Sequence, residues 1–310
     1  MNAALPRIQR RAVHGVLLLD KPIGLSSHDA LYRGKRLYRA DKAGHTGTLD
    51  PLATGLLPLC FGAATKFSHV SLDADKAYRA TLHLGQTRVG GDREGAVMQE
   101  RAPAFDRAAL DAAVLRLTGA VEQVPPMQSA LKHEGKALYE YARAGIEVER
   151  AARSVTIHSL GIVEWDAERL VIDVVCSKGT YIRTLAQDLG ELLGCGAHLS
   201  ALRRTGSGAL TLEHAVTLEQ IAGLDEAARD GLLLPADALL QAWPVVRLPD
   251  DEAGRFLSGL RRRVQLSDAP AVRVYGPQER AFLGSAHITS GELIADRLLS
   301  PVEVSGLLEH

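Results

Sequence analysis

Apolar residues recur along the chain with periods that mark out its elements before any chemistry is considered. Residues 14–19 form an apolar run ending in Asp20-Lys21-Pro22 and predict a buried strand. Pro22 and Gly24 force a turn, after which Ser26 or Ser27 is placed to cap a helix reaching about residue 39. Ala30, Leu31 and Leu37 would face inward on that helix, while Gly34 inside it costs about 1 kcal/mol against alanine. Residues 43–55 collect Gly44, Gly47, Pro51 and Gly55, the signature of a structured loop. Strands are predicted at 56–61 and at 77–84, the second alternating through Tyr78, Ala80, Leu82 and Leu84. Residues 86–95, rich in glycine and charge, predict a mobile loop. Helical spacing follows at 105–117 (Leu110, Val114, Leu117), at 137–144, and at 180–193 behind a Ser177-Lys178-Gly179 cap. Strands are predicted at 155–165, 170–176 and 198–210.

This order is mixed and not strictly alternating, which favours an α+β fold with a mixed, largely antiparallel sheet. Between 233 and 249 the character changes, with Pro235, Trp243, Pro244 and Pro249 in quick succession. A domain boundary is expected there, dividing 1–244 from a small β-rich domain at 245–310 with strands near 263–266, 271–274, 281–288 and 293–294.

Composition narrows the class. Hydrophobic residues are 46% and charged residues 24% of 310, as in an ordinary globular protein, and the net charge of −1 does not by itself point to nucleic acid. Charge is nevertheless local: Arg33, Lys35, Arg36, Arg39 and Lys42 cluster, either as a solvated helix face or as a surface for phosphate. Cys60, Cys176 and Cys195 are far apart with no C-x-x-C pair, which excludes a zinc knuckle and a thioredoxin-like site and suits buried thiols in a reducing compartment. The polar start at 1–15 lacks the apolar core of a signal peptide, and no apolar run approaches the roughly 20 residues that span a bilayer. A cytoplasmic protein without a membrane partner is the expectation.

Two segments carry chemistry. The loop GHTGTLDPLATG (44–55) offers His45 and Asp50 on a glycine-rich backbone that a ligand can approach closely. Its carboxylate could bind a metal, act as a base, attack as a nucleophile or cap a helix. Without a second histidine at metal-ligand spacing, zinc is discounted. The segment CSKGTYIR (176–183) places a glycine turn between a strand end and a helix start, presenting Lys178, Tyr181 and Arg183 where a helix N-terminus attracts anions. An arginine there could pair with a loop aspartate such as Asp50 and hold it ionised, or form an ordinary surface ion pair.

Taken together, DKPIGLSSHDAL (20–31), AGHTGTLDPLATGLLPLCFGAATK (43–66), DKAYRATLHLG (75–85), SALKHEGKALYEYARAG (129–145), CSKGTYIRTLAQDLGELLGCGAH (176–198) and LRRTGSG (202–208) resemble the bacterial tRNA pseudouridine synthases of the TruB family. The likeness runs in order over nearly all of 13–208. PVVRLP (244–249), FLGSAHI (282–288) and LIADRLLS (293–300) are similar to that family's PUA domain, which binds RNA. The resemblance implies a cofactor-free and metal-free monomer that isomerises the uridine at position 55 in the tRNA T arm. It implies Asp50 as the catalytic carboxylate, Tyr78 stacked on the flipped uracil, Arg183 paired with Asp50, and Tyr181 beside the base as a candidate for taking the C5 proton. It further implies Leu202 in the apolar wall, His45 in the gap left by extruded nucleotides, Lys21 and Pro22 packed beneath the site, and Asp92 joined to the Asp–Arg network. Arg33, Arg36 and Arg39, with the Arg203-Arg204 pair, suit phosphate contacts. Arg88, Val89, Gly90, Gln128 and Gly34 depart from the family pattern. Competing readings are an RNA-binding or RNA-folding protein without catalysis, an unrelated hydrolase with an aspartate nucleophile, and a synthase for another RNA.

Overall fold

Alternation along 76–84 builds a central strand, and the remaining elements follow the same rules of period and punctuation. The computed structural model describes residues 9–309, so the N-terminal segment at 1–8 read above lies outside the described residues. The chain begins with β1 (Gly15–Lys21), α1 (Ser27–Leu37), β2 (Ala43–His45), β3 (Ala53–Phe61) and α2 (Ser68–Asp73). It continues through β4 (Lys76–Leu84), β5 (Gln86–Arg88), β6 (Val97–Glu100), α3 (Arg107–Arg116) and β7 (Gly119–Gln123). Next come β8 (Lys132–His133), β9 (Lys136–Ala137), α4 (Leu138–Arg143), β10 (Arg153–Trp165), β11 (Arg169–Cys176), α5 (Ile182–Leu192) and β12 (Ala197–Ser207). After β13 (Leu210–Thr211), α6 (Leu218–Ala222) and α7 (Glu226–Asp230), the chain ends in β14 (Val245–Arg247), α8 (Asp250–Leu257), β15 (Arg262–Arg263), β16 (Ala269–Tyr275), β17 (Phe282–Thr289), β18 (Glu292–Leu298) and α9 (Pro301–Leu308). The fold is α+β, as its mixed element order predicts. By their contacts the described residues form two compact units, one of 9–51, 55–72 and 209–309, the other of 52–54 and 73–208.

The second unit is a sheet in the order β12-β4-β11-β10-β7, with every neighbouring pair antiparallel. One face of β4 buries Ala80, Leu82 and Leu84 against Leu170, Ile172 and Val174 of β11. Helix α5 lays Ile182, Leu185, Ala186 and Leu189 into the same core, the i, i+3, i+4, i+7 spacing of an amphipathic helix. Each leucine so buried is worth about 1.5–3 kcal/mol in transfer free energy.

In the first unit β3 pairs antiparallel with β1, from Gly15 opposite Phe61 to Lys21 opposite Gly55, and with β2. A second sheet, β14-β16-β17-β18-β15, is parallel only between β14 and β16. Val16, Leu56, Cys60 and Phe67 share one apolar core with Phe282 and Leu299. Lys66 reinforces that packing, its amine donating to the Leu298 carbonyl at 2.9 Å and to Glu303 at 2.5 Å.

Several expectations are refined. The segment 86–95 is a loop only from residue 89 onward: Gln86–Arg88 is strand β5, paired with β6, and the rest is the bend of that hairpin, turning on Gly90 and Gly91 at positive φ. Arg88, a departure from the family pattern, donates to the carbonyls of Arg93 and Gly95, both at 3.1 Å. Gly34, a departure from the family pattern, has a packing reason: a Cβ there would lie 2.7 Å from Leu59 Cδ1. Helix α5 starts at Ile182, two residues later than predicted, and Ser177 is not its cap. Instead the Ser177 hydroxyl accepts from the Thr156 N–H at 2.9 Å. The C-terminal region also contains α8 and α9, whose apolar periods are too short to stand out, although Ser300-Pro301 with Glu303 forms a capping box at α9.

Candidate active site

Asp50 lies in a loop fastened on both sides to the start of α1. Lys21, with no exposed surface, ends β1 and turns its amine back onto the carbonyls of Pro22 at 2.9 Å and Leu25 at 2.6 Å. That bracing sets the turn in which Gly24, at φ 85°, donates its N–H to the Pro51 carbonyl at 2.8 Å. On the other side of Asp50, the Ser27 hydroxyl accepts from the Leu49 N–H at 2.7 Å and donates to the Leu49 carbonyl at 3.0 Å. Ser26 meanwhile caps α1 by accepting from the Asp29 N–H at 3.1 Å. The two adjacent serines therefore have different tasks, one capping the helix and one stapling the loop. His45 sits on β2 opposite Leu59, and the next residue, Thr46, donates its N–H to the Pro58 carbonyl at 3.2 Å. Half-buried Asp50 and Pro22, with buried Lys21, thus belong to one locally braced structure.

Arg183, Tyr181, Asp92 and Tyr78 belong to the other unit. Arg183 is buried in the first turn of α5 and donates to the Gln128 carbonyl at 2.7 Å and the Gly90 carbonyl at 3.5 Å. Its guanidinium lies 3.6 Å from the carboxylate of Asp92, which is equally buried. The hairpin bend thereby supplies two of the groups around Arg183, and two positions that depart from the family pattern, Gly90 and Gln128, meet it through backbone oxygens that any residue would carry. Tyr181 is the N-cap residue of α5 but makes no side-chain cap bond. Its backbone is clamped by the side-chain amide of buried Gln123, which accepts from the Tyr181 N–H at 3.0 Å and donates to its carbonyl at 3.3 Å. Lys178, predicted beside Arg183 at the helix end, is exposed and paired with Asp73 at 2.7 Å.

Tyr78 and Arg204 face one another across β4 and β12, and Arg203 is opposite Arg79. Leu202 is half-buried against the apolar core, with its carbonyl 3.4 Å from the Thr54 hydroxyl. Arg204 corrects the expectation of a phosphate-binding pair. Only 1% of it is exposed, and it hydrogen-bonds the Tyr78 hydroxyl. Burial pushes its pKa down, against the opposing pull of Tyr78. Arg33 and Arg36 are exposed on α1, whereas Arg39 forms an ion pair with Glu226.

Sequence reasoning missed Ser27, Gln123 and the role of Arg204. The Ser26-Ser27 doublet offered a signal for the first; nothing local distinguishes Gln123 from a solvated glutamine. All three cysteines are free and buried, and burial raises the Cys60 thiol to about 12 and the Cys176 thiol to about 11. Among the described residues no group of three or more His, Cys, Asp or Glu is placed to hold a metal ion, and no helix is long and apolar enough to cross a membrane.

Three family models match in succession: TruB family pseudouridylate synthase (N terminal domain) at 35–182, tRNA pseudouridylate synthase B C-terminal domain at 183–241, and Pseudouridine synthase II TruB, C-terminal at 244–299. The tRNA pseudouridine synthase B of Cupriavidus metallidurans is 60% identical over 304 residues, covering 95% of this chain and 96% of that relative. The protein of the same name from Burkholderia lata is 57% identical over 300 residues, covering 95% and 92%. Among solved structures, a chain of a Cbf5-Nop10-Gar1 complex superposes with a TM-score of 0.71 over 94% of this chain and 87% of that one. At 22% identity, that is a likeness of fold.

Proposed function

Because this chain belongs to the TruB family of pseudouridine synthases, and so is an isomerase that turns uridine into pseudouridine, we propose that its substrate is the uridine at position 55 in the T arm of tRNA. The observation that carries this reading is identity of 55–60% with enzymes named tRNA pseudouridine synthase B across almost the whole chain. The motifs holding Asp50, Tyr78, Tyr181 and Arg183 are intact within it.

The reaction breaks N1–C1′ and makes C5–C1′. A proton leaves C5 and one is gained at N1, so atoms and redox state balance without a cofactor. Asp50 is the carboxylate of the reaction; an ordinary aspartate is ionised at neutral pH, with a pKa of about 3.9. A uridine stacked in folded RNA is first extruded, at a cost of a few kcal/mol. Stacking on Tyr78 returns about 1–3 kcal/mol. Tyr181 is the candidate for removing the C5 proton, and Arg183 with Asp92 forms the charged support. Leu202 contributes the apolar wall, His45 enters the space vacated in the RNA, and Lys21 and Pro22 support the loop of Asp50. Exposed Arg33 and Arg36, with half-buried Arg203, meet phosphates. Residues 245–310 serve as a PUA-like RNA-binding domain behind a catalytic domain of 1–244. The enzyme works as a cytoplasmic monomer.

Incubation with unmodified tRNA transcript, followed by carbodiimide-blocked primer extension, tests the reading. One new stop at the T-arm uridine is expected with wild type, in EDTA as without it, and none with Asp50→Ala. No stop with wild type despite tRNA binding, or a stop on another RNA alone, overturns the substrate assignment.

A further inference from the structure

Arg204 is a cation set where it cannot reach solvent. It is 1% exposed on β12, directly opposite Tyr78 on β4, and its guanidinium hydrogen-bonds the Tyr78 hydroxyl. Lys76, two residues before Tyr78 and hence on the same face of the strand, is also buried, close enough for its charge to be opposed by that of Arg204.

Arginine presents its donors in a rigid planar fork, so a hydrogen bond from it sets direction as well as distance. A tyrosine ring pivots about two torsions at its base, and a bond to the hydroxyl at its far end removes that swing. We propose that Arg204 is a positioning residue for the isomerisation, holding the Tyr78 ring in the plane on which the extruded uracil stacks. The inference rests on the reading of Tyr78 as the stacking residue. Arg204 touches no substrate; it acts through the tyrosine hydroxyl. Its effect therefore falls on the rate of the bound complex and not on affinity for RNA, since misplacing a positioned group costs rate.

A double-mutant cycle separates this role from a merely structural one. Arg204→Met, Tyr78→Phe and the double variant are compared in single-turnover rate at saturating tRNA transcript, with the tRNA Kd measured by filter binding. Each single change is expected to slow the reaction by roughly ten- to hundredfold. The double variant should be no slower than Tyr78→Phe by more than about twofold, with every Kd within about twofold of wild type. An Arg204→Met loss that persists undiminished in the Tyr78→Phe background overturns the proposal. So does a weakened Kd with a shallower salt dependence, which would return Arg204 to the phosphates. Should Arg204→Met fail to fold, Tyr78→Phe decides, because a wild-type rate there leaves the hydroxyl bond without a role. Tyr78→Ala keeps the underlying reading separate. If it reacts at the wild-type rate, stacking on Tyr78 is wrong; if it is slow while Arg204→Met is not, only the present inference fails.

Discussion

Lys76 shows how a single side chain is changed by its place in the sheet. It is 8% exposed at the start of β4 and donates to the Ala74 carbonyl at 2.5 Å. Burial first, and the charge of Arg204 second, bring its pKa down to about 8. In the unfolded chain a lysine titrates near 10.4. The folded value is the lower one, so between about pH 8 and 10.4 the unfolded chain binds more protons, and stability from this group rises with pH across that window. The whole effect is on the order of 3 kcal/mol. Urea unfolding of wild type and Lys76→Met at several pH values checks it: wild type should gain on the variant from pH 8 to 10. A difference that stays constant over that range would show that the amine titrates as an ordinary lysine.

The hairpin of β5 and β6 joins local backbone geometry to the buried ion pair of Arg183 with Asp92. Its bend delivers the Gly90 carbonyl and the Asp92 carboxylate to Arg183. Gly95 permits the closure, since a Cβ on it would lie 1.8 Å from the Val89 carbonyl oxygen, a backbone atom that cannot swing aside. Gly95→Ala should therefore open the bend and slow single turnover by roughly tenfold or more through misplacement of Arg183. The apolar core of this unit, built by β4, β11 and α5, contains no hairpin residue, so the melting temperature should fall by only a few degrees. A variant that reacts at the wild-type rate would mean that Arg183 is held without the bend. The prediction of a loop at 86–95 missed the strand at Gln86–Arg88 and the internal hydrogen bonds of Arg88, which composition does not distinguish from solvation.

Over the chain as a whole, a net charge of −1 conceals an uneven distribution. Arg11, Arg39 and Arg79 are paired with Asp230, Glu226 and Asp173, while Arg33 and Arg36 remain exposed on α1. RNA affinity should accordingly fall steeply with salt as phosphate contacts release counterions. Changing Arg33 and Arg36 together to alanine should make the slope of log K against log salt shallower by about 2. An unchanged slope in a salt titration of tRNA binding would leave the basic segment at 33–42 as a solvated face. Residues 245–309 carry their own sheet and core, yet Phe282 and Leu299 also pack with Val16 and Phe67. A composition shift marks where a sheet begins but carries no record of such shared packing.

Periodicity was enough to find β1, α1, β4, β10 and β11 within a few residues, because their apolar faces are set by neighbours along the chain. The loop around Asp50 and the helix start around Arg183 stood out as candidate sites for a related reason, since glycines and ionisable residues lie within one short stretch of each, whereas Tyr78 came only from the family resemblance. What local reading could not supply was depth and partnership. Arg203 and Arg204 are adjacent and chemically alike, but alternation along β12 leaves Arg203 half-buried and buries Arg204 opposite Tyr78. Ser27 reaches 22 positions to Leu49, and Gln123 reaches 58 to Tyr181. Strand pairing and loop closure bring such groups together across those separations, so only the tertiary structure decided which polar side chains meet solvent and which brace the loops around Leu49 and Tyr181.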